Sequence, residues 1–180
     1  IKFPSTMTKI ADENFKGHIY LTQITLPSSV TSVGYSAFEG CTALTTVTLN
    51  NSGTIGTSAF KDCTALTRVN IGTGLTEFYA PYSTYSPFSG CSKLSTVNVV
   101  DLASFFKIAN LNHLTNSSYG TASEKTLMVN GVTHSYSSEL VIPEGVTSIP
   151  NDAFRQFKNV TKIKFPSTMT KIADENFKGH

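Results

Sequence analysis

Apolar positions return along this chain on a fixed beat. Residues 24–41, ITLPSSVTSVGYSAFEGC, set out one period. Ile24 and Leu26 alternate with polar neighbours and are closed by Pro27. Val30 and Val33 follow, then Ala37, Phe38 and Cys41, and Leu44 opens the next copy. The phenylalanine recurs at Phe15, Phe38, Phe60, Phe88, Phe154 and Phe177, at intervals of 23, 22, 28, 66 and 23 residues. The pairs Val47 and Leu49, Val69 and Ile71, Val97 and Val99, Leu140 and Ile142, and Ile163 and Phe165 keep step with it. Pro4, Pro143 and Pro166 stand where Pro27 does. A repeat of 22–23 residues cannot bury its own apolar face, so the pattern predicts a solenoid whose coils cover one another.

The segment L-x-x-V-x-L alternates with period two and reads as a short strand. Stacked coils place these strands in parallel on one concave sheet. Leu44, Val47 and Leu49 point inward. The outward row comprises Gln23 with Thr25, Thr46 with Thr48, Arg68 with Asn70, Thr96 with Asn98, Glu139 with Val141, and Lys162 with Lys164. The rest of each coil is a turn, a second extended piece such as Val30 to Val33, and a tight bend holding alanine and phenylalanine. The phenylalanines are expected to stack as one continuous spine, each contributing roughly 1.5–3 kcal/mol by burial. The fold expected is mainly β, a single solenoid over residues 1–180.

Two places break the frame. Five extra residues between Phe78 and Phe88 form a loop, YAPYSTY, that holds Tyr79, Tyr82 and Tyr85, with Pro81 and Pro87 limiting its freedom. Tyrosines on a stiffened loop offer area and a hydroxyl at low entropic cost; the alternative is that they cover the core edge. The second break is an insertion at about 100–138. Asp101 is expected to cap a helix through DLASFFKIAN, with Leu102, Phe105, Phe106 and Ala109 on one side. A polar loop, LNHLTNSSYGTASEK, follows. LMVNGVTHS then reads as a hairpin around Asn130 and Gly131, a pair favoured by type I′ turns. The interval of 66 residues from Phe88 to Phe154 is three coils long, so the insertion is expected to occupy coil positions.

A second level of repetition lies above the coils. Residues 1–18 and 163–180 both read IKFPSTMTKIADENFKGH. The frame places Ile1 inside a strand, so the chain is expected to be a piece of a longer protein built of tandem blocks. Head-to-tail stacking is expected as well, because an uncapped end leaves apolar faces open. Cys41, Cys63 and Cys91 each stand three residues after a repeat phenylalanine, where other copies have His18, Phe157 and His180. This reads as a column of buried free thiols. A disulfide between Cys41 and Cys63 is the alternative, since neighbouring strands lie about 4.8 Å apart.

Composition narrows the function. The chain is 39% apolar, enough for a core, but only 14% charged, against about a quarter in ordinary domains. A formal charge of +2 is too weak to argue for nucleic acid or an anionic membrane, and no nucleic-acid partner is expected. No apolar run approaches the roughly 20 residues of a membrane helix. The chain lacks G-x-S-x-G, H-E-x-x-H, P-loop and G-x-G-x-x-G motifs. Its four histidines, His18, His113, His134 and His180, lack metal-ligand spacing. No catalytic residue, metal or cofactor is therefore expected. Glycosylation sequons fall at Asn50, Asn116 and Asn159.

The frame L-x-x-V-x-L-P…V-x-x-I-x-x-x-A-F-x-x-C is carried by ITLPSSVTSVGYSAFEGC, TIGTSAFKDCTALTRVNI and LVIPEGVTSIPNDAFRQFKNVTKIKFP. It resembles the BspA-like leucine-rich-repeat family, surface proteins of anaerobic bacteria and of some mucosal protozoa. The insertion is similar to that family's recurrent interruption, a helix leading to an N-G turn and L-V-I-P-x-G-V-T-S-I, with Phe105 or Phe106 in place of a tryptophan. The resemblance implies an exported, cell-surface or secreted protein that adheres to host matrix proteins or to other microbes. The module expected is non-catalytic and binds an extracellular protein or glycan. Its expected footprint is Tyr79, Tyr82 and Tyr85 with Arg68, Asn70, Thr96, Asn98, Lys162 and Lys164. The alternative is a structural spacer that projects other domains of a larger surface protein.

Overall fold

A computed structural model describes residues 1–122, 124–133, 138–178 and 180. Five short strands, Gln23–Leu26, Thr46–Leu49, Arg68–Ile71, Thr96–Val99 and Thr126–Val129, lie side by side in parallel. Ile24, Val47, Val69, Val97 and Leu127 form one inward column; Leu26, Leu49, Ile71, Val99 and Val129 form the next. The register follows from the pattern, because a slip of one residue would turn both columns to water. A second parallel sheet collects the short pieces Lys9–Ile10, Ser32–Val33, Thr54–Ile55 and Glu77–Phe78. Coils press closely here: a Cβ on Gly53 would lie 1.8 Å from the Thr31 carbonyl oxygen.

Five of the six phenylalanine bends are built on left-handed backbone, the bend at Phe88 being the exception. Glu13, Ser36, Ser58, Asp152 and Glu175, each two residues before a repeat phenylalanine, have φ between 49° and 63°. The bends bond coil to coil: Phe15, Phe38 and Phe60 donate their N–H to the carbonyls of Ala37, Ala59 and Pro87 at 2.8, 2.7 and 2.8 Å. Their rings consequently stack. Centroids of Phe15, Phe38, Phe60 and Phe88 follow one another at 5.1, 5.2 and 5.5 Å, with planes within 9° of parallel.

The three cysteines are free and buried. Their Sγ–H groups donate to the carbonyls of Phe15, Phe38 and Phe60, each one coil back, at 3.2, 3.2 and 3.0 Å. His180 Nε2 makes the same bond to the Phe154 carbonyl at 2.9 Å. A side-chain donor that reaches one coil back explains why cysteine and histidine share the slot. Burial pushes the Cys41 thiol up to about 11. The neighbouring Cys91 thiol, with burial, pushes Cys63 up as well. Both stay protonated and unreactive at neutral pH.

The insertion occupies coil positions, as expected, but with different elements. The Asp101 carboxylate caps the chain by accepting from Ser104 N–H at 2.7 Å, yet the helix runs only over Leu102–Phe105. Ala109 is not on its buried side. It is exposed and bridges Glu77 in parallel, extending the second sheet. The chain must leave the helix to reach that edge. The segment expected as a polar loop forms a second helical turn, Asn112–Thr115, and a 3₁₀ turn, Ser117–Tyr119. These lie against the bend below, with Ser86 Oγ donating to the His113 carbonyl at 3.2 Å. The hairpin turns at Asn130 and Gly131, both left-handed, and pairs Val132–Thr133 with Thr126–Val129. Residues 134–135 of the expected hairpin segment lie outside the described residues.

The hairpin divides the stack. Its return strand takes the sheet edge that the next coil would need, so among the described residues Leu140–Val141 pairs only with Ile163–Lys164. The outward row is therefore not continuous. The phenylalanine spine is broken at the same place and resumes with Phe154 on Phe177 at 5.8 Å. Phe106 and Phe105 pack on the resumed end, Phe106 edge-on to Phe154 at 5.5 Å and Phe105 tilted against Phe157 at 6.4 Å.

Candidate recognition surfaces

The concave sheet brings together four of the expected contact residues. Arg68 and Thr96 share one outward row, Asn70 and Asn98 the next. The asparagines form a ladder. Asn70 Nδ2 donates to Thr48 Oγ1 at 3.1 Å, Asn98 Nδ2 to Asn70 Oδ1 at 3.3 Å, and Gly131 N–H to Asn98 Oδ1 at 2.9 Å. Arg68 Nη1 reaches Met128 Sδ at 3.3 Å. These side chains are half-buried, and the two asparagines are bonded to each other, so the row forms a polar shelf. Lys162 and Lys164 are exposed but belong to the separate two-stranded sheet.

The tyrosines lie elsewhere. Tyr79 follows directly on the second sheet and is 51% exposed; Tyr82 and Tyr85 are 69% and 46% exposed. Tyr82 and Tyr85 meet edge to face at 6.2 Å, with Tyr85 ending the 3₁₀ turn Ser83–Tyr85. The rings stand in solvent and do not lid the core. Tyr35, which the spacing did not single out, is 47% exposed and joins Tyr79 across a shallow groove on the second sheet. Gly34 and Gly56 leave its floor without side chains, and Lys9, Asp12 and Glu77 border it. Asp12 Oδ1 accepts from Tyr35 N–H at 2.9 Å, and Glu77 Oε1 accepts from Asn110 Nδ2 at 3.1 Å. Two phenol faces beside fixed carboxylates can hold a flat, hydroxyl-rich or aromatic group. The only signal for Tyr35 was its place just after a second-sheet strand.

Elsewhere, Lys125 is buried and its Nζ donates to Thr121 Oγ1, the Ala122 carbonyl and Gln156 Oε1 at 2.9, 2.7 and 2.7 Å. Burial pushes its ammonium down to about 7. Two of the three sequons are occupied by structure. Asn116 is buried and donates to Asp152 Oδ2 at 3.2 Å. Asn159 holds the Leu127 backbone, accepting its N–H at 3.0 Å and donating to its carbonyl at 3.1 Å. Among the described residues no three His, Cys, Asp or Glu side chains cluster as a metal site, and no helix is long and apolar enough to cross a membrane.

Short parallel strands stacked coil upon coil, each closed by a phenylalanine bend, define a leucine-rich-repeat protein. The chain belongs to the BspA type leucine rich repeat family, matching six copies of the repeat region over residues 1–112 and 132–180. The unmatched stretch is the heart of the insertion. Among solved structures it is similar to a leucine-rich repeat protein from Bacteroides ovatus, at 26% identity and a TM-score of 0.53, over 95% of this chain and 38% of that one. It is also similar in fold to a leucine rich repeat protein of T. pallidum, at 21% identity and a TM-score of 0.50, over 94% of this chain and 71% of that one. The chain thus spans well under half of the Bacteroides protein. Among curated proteins none matches it.

Proposed function

We propose that the chain is a non-catalytic recognition module, acting at the cell surface or outside the cell, that adheres to an extracellular protein or glycan. One observation carries this reading: Tyr35, Tyr79, Tyr82 and Tyr85 all stand in solvent on or beside one rigid sheet. A stacked frame holds such rings in place before a ligand arrives, which lowers the entropic cost of binding. The family membership supports the surface location. The concave shelf of Arg68, Asn70, Thr96 and Asn98, with Lys162 and Lys164 beyond the hairpin, offers a second, more polar contact area.

The test is binding of the folded chain to immobilised fibronectin, fibrinogen, collagen, laminin and mucin glycans at two salt concentrations. Replacing Tyr79, Tyr82 and Tyr85 together by serine is expected to weaken binding about ten-fold or more while leaving Tm unchanged. Equal affinity in the triple variant sinks the tyrosine assignment. Binding that persists at high salt favours the rings over the lysines. A spacer role is the second reading, favoured by the identity of residues 1–18 and 163–180; silence of the folded chain across the whole panel would select it.

A further inference from the structure

The outer face of the second sheet carries one polar row in register. Lys9, Ser32, Thr54 and Glu77 are successive partners across its four strands, while Ile10, Val33, Ile55 and Phe78 beside them are buried. The row runs from an ammonium that only donates, through two hydroxyls that do both, to a carboxylate that only accepts. At about 4.8 Å per strand it is about 14 Å long. Tyr35 and Tyr79 border it, and the groove they share holds about 350 Å³.

The groups along this groove keep most of their bonding capacity. Among the described residues the Lys9 ammonium and the Ser32 and Thr54 hydroxyls make no hydrogen bond or ion pair. Asp12 and Glu77 each give one oxygen to the chain, accepting from Tyr35 N–H and Asn110 Nδ2, and keep the other without a partner among those residues. The Asp12 carboxylate lies close against Gly34, where an added Cβ would sit 2.3 Å from its Oδ1. Glycine at that position is what lets the carboxylate reach the groove. The concave shelf differs, because Asn70 and Asn98 are bonded to each other.

We infer that this groove binds a neutral glycan, with sugar rings laid against Tyr35 and Tyr79 and their hydroxyls bonded along the row from Lys9 to Glu77. The inference rests on the recognition reading above and narrows its ligand. A pyranose offers a face of weakly positive C–H groups, which the negative face of a phenol ring attracts. Its edge offers hydroxyls that each donate and accept, and the row supplies partners of both kinds. Two carboxylates against one ammonium leave the groove net negative, which disfavours sialylated and sulfated chains. A basic side chain of a partner protein would satisfy the carboxylates and the ring faces, but it would leave Lys9, Ser32 and Thr54 unused. The row crosses four coils, so it is longer than a single sugar ring and suits an internal stretch of a chain.

Calorimetric titration of the full chain with linear hexasaccharides of glucose, mannose, galactose and N-acetylglucosamine tests this, with a heparin hexasaccharide and an arginine-rich peptide alongside. At least one neutral hexasaccharide is expected to bind saturably and more tightly than either charged probe. Tyr35→Ala and Tyr79→Ala should each weaken it about ten-fold with Tm unchanged, while Tyr35→Phe, which keeps the ring face, retains it. Glu77→Gln keeps an acceptor for Asn110, turns the free oxygen into a donor and should weaken binding several-fold. Silence towards every neutral hexasaccharide overturns the inference, as does neutral-glycan binding that Tyr35→Ala and Glu77→Gln leave intact. Tighter binding of the arginine-rich peptide overturns it in favour of a basic protein ligand. Adhesion to a matrix protein without affinity for any of these glycans would overturn the inference and leave the recognition reading standing.

Discussion

Lys125 is the residue whose chemistry is least expected of its setting. Its three neutral acceptors match the three protons of an ammonium, yet burial pushes it down to about 7 from the ordinary 10.5. Between those values the unfolded chain holds the proton more tightly than the folded one, so raising the pH favours folding. The thiols act in the opposite sense. Cys41 and Cys63 are pushed above the ordinary 9 in the folded state, so stability falls as pH rises past that value. Denaturant unfolding is expected to show stability rising by up to about 1 kcal/mol per pH unit between about pH 7 and 8.5. The rise should then level as the thiols titrate in the unfolded chain. Lys125→Met should abolish the rise and keep the alkaline loss; a slope that persists in the variant assigns it to another group.

At this scale the apolar columns, the free thiols and the exposed tyrosine loop were legible, because each is set by residue type and spacing. The left-handed residue two positions before phenylalanine was not. Glutamate, serine and aspartate there do not announce positive φ as glycine would; neighbouring coils impose it by bonding the next residues. Tyr35 was hidden for a related reason. Its partner Tyr79 lies two coils away, and only the stack brings them to one groove.

Among the elements, the regular strands followed their pattern and the insertion did not. A helical face was legible in Leu102, Phe105 and Phe106, and Asp101 does cap it. Its length was not, because the second sheet competes for Ala109. The two halves of the stack are then joined mainly by side chains, with one backbone bond from Lys125 N–H to the Gln156 carbonyl at 2.7 Å, in place of a strand ladder. Asn159 gives the Leu127 backbone both a donor and an acceptor, as a neighbouring strand would. Asn116 reaches Asp152, and Lys125 reaches Gln156. Asn159→Ala leaves two backbone groups of Leu127 without those bonds and is expected to lower stability by about 1–3 kcal/mol. Thermal unfolding of the variant checks this, and an unchanged Tm would show that the other two contacts suffice.

At the scale of the whole molecule, this joint is expected to be the weakest internal plane, because no strand ladder crosses it among the described residues. On one side lie coils whose four-residue strands, except the edge strand Gln23–Leu26, are paired on both edges; on the other lie two pairs of two-residue strands. Stability should be graded accordingly, since local opening follows local burial and pairing. Hydrogen exchange is expected to be slowest for the amides of Thr46–Leu49 and Arg68–Ile71 and fastest, among strands, for Ile163–Lys164 and Lys171–Ile172. Uniform protection across both halves would show that the joint transmits stability fully.

The sequence by itself determined the coil. Its period, its inward columns, its parallel register, its phenylalanine bend and its thiol slot all come from contacts that every copy makes with a like copy, so one copy predicts the next. Only the tertiary structure decided where that rule stops. The return strand Val132–Thr133 takes the edge that Leu140–Val141 would have used. It divides the outward row, ends the spine and places the expected lysines on a different sheet from the expected asparagines. The turn at Asn130 and Gly131 was legible in the sequence; that its return strand takes this edge in place of Leu140–Val141 was not, because pairing at the edge of Thr126–Val129 is decided by packing across the stack.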